Sequence, residues 1–323
     1  MKHIFITGIA GFIGFHLALS LKRRGDHVVG CDNFNPYYSP ALKRQRADRL
    51  REEGILVFEN DINSCGPIEQ AIEQHGISHM VHLAAQAGVR YAVKHPETYV
   101  HSNLDGFVSL LQLLRRHVHI PLIYASSSSV YGLNSKIPFS ESDQTDTPAS
   151  FYGATKKCNE IIAHAYHHLY GIRCTGLRFF TAYGPWGRPD MAYYSFTRAI
   201  EEGQPINIFG TGEMRRDFTY IDDIVQGVMA AIDLGAPLEI FNLGNHHPHS
   251  VIELVETLES LLGKQAIKEF VPIPEGEVFA TYADITKSQQ QLRFNPRTSL
   301  HDGLEKFTTW YRTRHQVQDA APC

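Results

Sequence analysis

Tyr152 and Lys156 stand four residues apart in Tyr152-Gly153-Ala154-Thr155-Lys156. On a helix that spacing puts a phenol and an ammonium on one face, within mutual reach. An unperturbed tyrosine titrates near pH ~10, too high for a base at neutrality. A neighbouring cation favours phenolate and lowers that value, so the pair suits abstraction of a hydroxyl proton. Tyr-x-x-x-Lys by itself also occurs as a plain surface helix pair. It gains weight here from Ser126-Ser127-Ser128-Ser129 upstream, hydroxyls able to hold a substrate oxygen and relay its proton.

The N-terminus offers a partner for that chemistry. Gly8-Ile9-Ala10-Gly11-Phe12-Ile13-Gly14 forms G-x-x-G-x-x-G between an apolar strand and a helix. Glycine permits the tight turn and close approach of backbone to a pyrophosphate, while the helix N-terminus offers free N–H groups. Asp32 follows Gly14 by eighteen residues and ends the second strand. There a carboxylate accepts hydrogen bonds from an adenosine ribose and repels the extra phosphate of NADP. Asn33 rather than Arg comes next, so NAD is the expected cofactor. Asp61-Ile62 after the third strand are expected near the adenine, and Leu83-Ala84-Ala85-Gln86 after the fourth are small enough to let the cofactor pass.

The elements that must position these groups alternate short β-branched runs with longer helical patterns, the sign of βαβ units. Strands are expected at 3–6, 27–31, 55–58, 78–83, 122–126 and 174–179, with helices at 12–24, 40–53, 97–117 and 148–170. In such a sheet the strand C-termini line the ligand crevice, which is where Ser127 falls. Beyond 180 the pattern loosens. Gly184 to Pro189 reads as a loop; helices are expected at 192–202, 222–233, 250–262 and 300–312, and strands at 206–209, 218–221 and 238–243. The expected fold is α/β: a Rossmann-type doubly wound parallel sheet over 1–180 plus the strand near 238–243. A smaller α/β substrate-binding domain is expected from 181–237 and 244–323. The tail 316–323 is expected to fray.

Composition narrows the function classes. The chain has 323 residues, 43% hydrophobic and 20% charged, with a net charge of -4. That mild acidity, with scattered basic residues, argues against a nucleic-acid partner. Five cysteines at 31, 65, 158, 174 and 323 form no C-x-x-C pair, which suggests reduced thiols in the cytoplasm and no metal framework. His246-His247-Pro248-His249 has no acidic or cysteine partner in the sequence and reads as a polar loop. Glycines and His16 break the apolar N-terminal run, so it is not a signal peptide. No stretch of ~18 apolar residues marks a membrane span.

Several longer segments are distinctive: Asp32-Asn33-Phe34-Asn35-Pro36-Tyr37-Tyr38, His82 through Arg90, Ser126 through Gly132, Leu177 through Met191, and Arg216 through Asp223. On these the chain resembles the extended short-chain dehydrogenase/reductase family of sugar-nucleotide enzymes, and within it the UDP-glucuronate 4-epimerases. The resemblance implies Tyr152 as base, Lys156 as its partner and a ribose ligand, and Ser127 as the catalytic hydroxyl. It implies Asn103 on the cofactor side, Arg216 on the UDP phosphates, and Thr181 and Arg188 near the sugar. Arg suits phosphate because its planar fork donates in pairs. Two residues depart from the family pattern: Glu277 where Asp is usual, and Ala182 where Val is commoner.

The implied reaction oxidises C4 to a ketone, lets the keto sugar rotate, and returns hydride to the other face. Glucuronate adds a hazard, since a carboxylate β to a ketone loses carbon dioxide easily. Ser127, Ser128, Ser129 and Thr181 are the hydroxyls expected to restrain it, with Arg188 as the cation. The family's dehydratases and decarboxylases carry acids beside Val/Leu-Tyr-Gly where this chain has Ser128-Ser129, which argues against either reaction. UDP-glucose/UDP-galactose 4-epimerase shares the machinery and is the nearer alternative. A non-catalytic NAD-binding protein is a further one. The resemblance also implies a homodimer through helices near 97–117 and 148–170. Leu110, Leu111, Leu113, Leu114, Ile161, Ile162 and Leu169 there serve either that interface or the core.

Overall fold

The computed structural model describes residues 1–274 and 278–319, so Glu277 lies outside the described residues. The first part alternates β1 (His3–Thr7), α1 (Phe12–Arg23), β2 (His27–Asp32), α2 (Pro40–Glu52), β3 (Leu56–Glu59), α3 (Cys65–His75), β4 (His79–His82), α4 (Val89–Lys94), α5 (Pro96–Tyr99), α6 (Gly106–Leu114), β5 (Leu122–Ser127), α7 (Phe151–Tyr170) and β6 (Cys174–Phe179). There follow β7 (Thr181–Tyr183), α8 (Ala192–Glu202), β8 (Pro205–Phe209), β9 (Arg215–Tyr220), α9 (Ile221–Leu234), β10 (Leu238–Leu243), β11 (Pro248–Ser250), α10 (Val251–Leu262), β12 (Ile267–Val271), α11 (Thr286–Leu292) and α12 (Leu300–Asp319).

Seven strands make one parallel sheet in the order β10-β6-β5-β4-β1-β2-β3. This is the doubly wound Rossmann-type architecture, and the strand near 238–243 joins the sheet as β10. Both faces are covered, as a parallel sheet requires. Ile4 and Ile6 of β1 pack with Phe15 and Leu21 of α1 and Val228 of α9. Phe5, between them, points the other way, to the cluster holding Ile72 of α3 and Leu110 of α6. The chain winds outward from β1 to β3, then returns to β4 on the other side of β1. The order therefore reverses between β1 and β4, and ligands bind at such a switch point outside the strand C-termini. The glycine turn and residues 84–86 both emerge there.

The remaining strands form a three-stranded sheet, β11-β9-β7, and a parallel pair, β12-β8. The core is continuous across them, since Tyr183, Phe218, Leu254 and Phe307 belong to the same cluster as Ile4. No helix among the described residues is long and apolar enough to cross a membrane. The helix expected over 97–117 is instead α5, a π-turn over Val100–Asp105, and α6. The helix α3 and the strands β7, β11 and β12 escape the hydrophobic pattern. In α3 the start is Cys65-Gly66-Pro67, β7 and β11 span three residues each, and β12 is largely exposed. The last helix runs to Asp319, into the tail expected to fray.

Candidate active site

The glycine turn is tight because nothing larger fits. A Cβ on Gly8, whose φ is +71°, would lie 2.6 Å from the Ala84 nitrogen, and one on Gly14 would overlap the Gly8 carbonyl. Gly8 and Ile9 both donate to the Cys31 carbonyl, at 2.8 and 3.2 Å, which draws the turn against the end of β2. The N-terminus of α1 begins at Gly11 with no side chain capping it, so its free N–H groups face the turn. Phe12 is buried and Ile13 half-buried behind it.

Asp32 is 7% exposed at the end of β2. Its Oδ1 accepts the Phe34 N–H at 2.9 Å. Burial raises its pKa, with the Lys43 charge as the strongest opposing influence. Asn33 donates to Asp61 at 2.9 Å, and the same carboxylate takes the Asn63 N–H and meets His101. Ile62 is buried beside Gly106, where a Cβ would strike its side chain. Leu83 and Ala84 are tied to Thr7 of β1 by hydrogen bonds of 3.1 and 3.3 Å, with Ala85 next and Gln86 beyond. The buried amide nitrogen of Gln86 has no hydrogen-bond partner. A buried donor without a partner is costly unless a ligand supplies one. These residues fit a dinucleotide.

Asn103, expected on the cofactor side, bonds the backbone of Gln86. The π-turn swings its amide inward, where Oδ1 accepts the Gln86 N–H at 2.8 Å. Nδ2 donates to the Gln86 carbonyl and to Thr155 Oγ1, both at 3.0 Å. The amide thus clamps the 84–86 segment to α7.

Ser127, Tyr152 and Lys156 come together at the C-terminal end of β5. Ser127 caps the short 3-10 turn Ser128–Tyr131, accepting the Ser129 N–H at 3.1 Å, and its hydroxyl donates to Ser129 Oγ at 3.2 Å. The helix α7 starts at Ser150, whose hydroxyl accepts the Gly153 N–H at 3.1 Å. A Cβ on Gly153 would lie 2.5 Å from the Ser129 carbonyl, so this glycine lets the helix approach the serine turn. Burial raises the pKa of Tyr152, while a hydrogen bond with Ser127 and the charge of Arg188 pull it down. Lys156 is buried, donates to the Ala125 carbonyl at 3.0 Å, and is brought down to about 8 by burial. The cation whose field reaches the phenol in this arrangement is Arg188.

Ser126 turns away from the crevice. It donates to Glu160 at 2.6 Å, and Glu160 is paired with Arg178 through two hydrogen bonds of 2.9 Å. Ser128 and Ser129 are half-buried in the turn. Thr181 starts β7, just past Phe179, the residue paired with Ser127, so it sits one strand over from the serine turn. Arg216 is half-buried on β9 and its Nη1 donates to the carbonyls of Arg215 and Phe279. Beside it, buried Asp217 accepts the backbone N–H groups of Asn245, His246 and Ala283 at 2.5, 3.1 and 3.1 Å. Burial pushes Asp217 up to about 6. The histidine loop is therefore held by its backbone.

Tyr37, Tyr99, Gly153 and Asp190 escape a reading of the sequence as site residues. Tyr99 lies with its ring 6.1 Å from Tyr152, and Tyr37 donates to Asp190, the partner of Arg188. Tyr37 and Asp190 carried a signal as members of the distinctive segments 32–38 and 177–191, and Gly153 stands inside the Tyr-x-x-x-Lys motif.

Residues 4–244 match the family described as the NAD dependent epimerase/dehydratase family. The chain is 51% identical to UDP-glucuronate 4-epimerase 3 of Arabidopsis thaliana, over 95% of this chain and 76% of that one. It superposes with a TM-score of 0.90, at 36% identity, on the crystal structure of UDP-glucuronic acid 4-epimerase from Bacillus cereus in complex with UDP-glucuronic acid and NAD. That match covers 97% of this chain and 100% of the other. A UDP-glucose 4-epimerase from Thermotoga maritima is similar too, with a TM-score of 0.88, 29% identity, and coverage of 97% and 100%.

Proposed function

The chain belongs to the NAD dependent epimerase/dehydratase family, and from that premise we infer that it interconverts UDP-glucuronate and UDP-galacturonate by inverting C4 through a 4-keto sugar. It is an NAD-dependent isomerase of the nucleotide-sugar type. The observation that carries the reading is the meeting of Ser127, Tyr152 and Lys156 at the end of β5, with the Arg188 charge reaching the phenol.

Gly8, Gly11, Phe12, Ile13 and Gly14 bind the pyrophosphate, Asp32 the adenosine ribose, and Asn33, Asp61 and Ile62 line the adenine end. Leu83, Ala84, Ala85 and Gln86 flank the dinucleotide from β4, where the unpartnered Gln86 amide is one donor for it. Asn103 stands on the cofactor side with them and holds that segment in place. NAD, when bound, accepts the C4 hydride and gives it back to the opposite face. Tyr152 takes the O4 proton, directly or through Ser127, and later returns it. Lys156 is the partner of the base and binds the nicotinamide ribose. Ser127, Ser128, Ser129, Thr181 and Arg188 hold the sugar and keep its carboxylate from leaving as carbon dioxide; Arg216 holds the UDP phosphates. Residues 1–180 with β10 serve NAD, and 181–237 with 244–323 serve the nucleotide sugar.

The partner is a second copy of the chain, docked through α7 and the helices before it. Leu110, Leu111, Leu113 and Leu114 are all buried inside one chain and belong to its core. Ile162 is half-buried, whereas Cys158, Ile161, Ala165 and Leu169 form an exposed stripe at helical spacing on α7. The site of action is the cytoplasm, which the unpaired cysteines favour.

The test is to incubate purified protein separately with UDP-glucuronate and UDP-galactose, without added NAD, and follow products by proton NMR. UDP-galacturonate is the expected product. Conversion of UDP-galactose alone overturns the uronate reading, a UDP-pentose overturns the epimerase reading, and no turnover with NAD added overturns catalysis itself.

A further inference from the structure

We propose that Asp190 and Tyr37 are positioning residues that aim the Arg188 guanidinium at the reacting sugar and so set the site's preference for a sugar bearing a carboxylate. This rests on the UDP-glucuronate reading above. Neither residue is part of the proton-relay set, and the reaction itself leaves both without a task.

Asp190 engages Arg188 side-on, taking Nε at 3.1 Å with one oxygen and Nη2 at 2.6 Å with the other. Neither bond uses Nη1, so one end of the planar fork stays available to a second carboxylate. Tyr37 donates to Asp190 Oδ2 at 3.0 Å, and its ring lies 5.7 Å from the guanidinium. The phenol thus fixes the carboxylate that fixes the arginine, and touches the arginine as well. Gly88 makes room for this phenol, since a Cβ there would lie 2.5 Å from the Tyr37 hydroxyl.

The loop that carries Arg188 is anchored from behind. Arg46 of α2 is fully buried and donates to the Trp186 and Gly187 carbonyls at 2.5 and 3.1 Å. The same guanidinium donates to the Ala10 carbonyl in the glycine turn at 3.0 Å. Arg188 therefore stands at a fixed place relative to the turn beneath the cofactor, with its field reaching Tyr152. A free arginine side chain loses rotamer freedom when a ligand immobilises it. Here Asp190 and Tyr37 have ordered it beforehand, so a substrate carboxylate meets a preorganised donor. A neutral hydroxymethyl group at C5 makes no such ion pair and gains little from that order. The device therefore discriminates between the two sugars instead of strengthening both.

The test is calorimetric titration of NAD-loaded enzyme with UDP-glucuronate and with UDP-glucose, in the unmodified chain and in Asp190→Asn and Tyr37→Phe. We expect Asp190→Asn to weaken UDP-glucuronate by about tenfold or more, with UDP-glucose within about twofold. Tyr37→Phe should act in the same direction by about threefold, through the lost hydrogen bonding of the phenol to Asp190 and Arg188. Equal weakening of both ligands overturns the inference by showing a merely structural role. Tighter UDP-glucuronate binding in Asp190→Asn also overturns it, because Asp190 would then compete with the substrate. An unmodified enzyme that binds UDP-glucose and not UDP-glucuronate fails at the functional reading instead, before any variant is compared.

Discussion

The Lys156 ammonium is 1% exposed, and burial brings its pKa from 10.5 down to about 8. A folded-state pKa below the unfolded one means that folding disfavours the charged form. The destabilisation is complete below pH ~8 and fades as pH rises towards ~10.5, where both states are neutral. A shift of that size corresponds to about 3 kcal/mol as an upper bound. We therefore predict that Lys156→Met raises the urea midpoint of the NAD-free protein at pH 7 while abolishing turnover, and that the gain shrinks towards pH 10. A variant less stable than the parent at pH 7 would refute this. The Tyr152 phenol carries the complementary prediction. Burial raises its pKa, and Ser127 and Arg188 oppose the rise, so removing the Arg188 charge lets it climb further. A base must be ionised to act, so the rising limb of kcat against pH should move to higher pH in Arg188→Met at saturating substrate. An unmoved limb would detach Arg188 from the phenol.

At the scale of elements, α7 is held to the sheet by a buried polar network one turn past Lys156. Glu160 accepts from Ser126 of β5 and from Arg178 of β6. Arg178 also donates to Tyr131, whose hydroxyl donates to Asn242 of β10, at 2.9 and 2.7 Å. Both members of the ion pair have side chains 3% exposed. Removing one partner leaves an uncompensated buried charge, which costs about 3–5 kcal/mol, whereas replacing both with apolar groups of similar volume is close to neutral. We predict that Glu160→Leu and Arg178→Met each destabilise strongly in urea unfolding and that the double variant recovers most of the loss. Additive losses would mean that the pair is not coupled. This network also marks what the sequence could reveal. The β-branched runs of β1, β2, β5 and β6 and the glycine turn announce themselves locally, because each depends on neighbours a few residues away. Asp32 is legible for the same reason, standing at a fixed distance from the turn it serves. Ser126 turning to Glu160, Asn103 closing on Gln86, and Tyr37 reaching Asp190 are not legible. They join residues 34, 17 and 153 positions apart, and only the folded register decides those contacts. The π-turn at Val100–Asp105 belongs with them, since the helical period through it looks unbroken while its geometry serves the Asn103 amide.

For the whole molecule, the same helix faces two ways. Lys156, Asn159, Glu160 and Ala163 of α7 are buried against the sheet, while Cys158, Ile161, Ala165 and Leu169 run along its outer side. Ile161 is 57% exposed and Leu169 64%, and steps of four through Ala165 place them two turns apart on one stripe. Nothing in the core of a single chain needs these side chains, so the apolar stripe is the surface on which a second copy would bury area. A symmetric contact of this kind would bring α7 against the α7 of a second copy and stiffen the helix that holds Tyr152. We predict that the unmodified protein has the mass of two chains by light scattering, and that Ile161→Glu with Leu169→Glu gives the mass of one. Because both positions are solvent-facing within the chain, the variant should keep its helical content and bound NAD. Its melting temperature should also no longer depend on protein concentration, as that of a dimer does. An unmodified protein with the mass of one chain, or a variant that still pairs, would show that the stripe is not the contact surface.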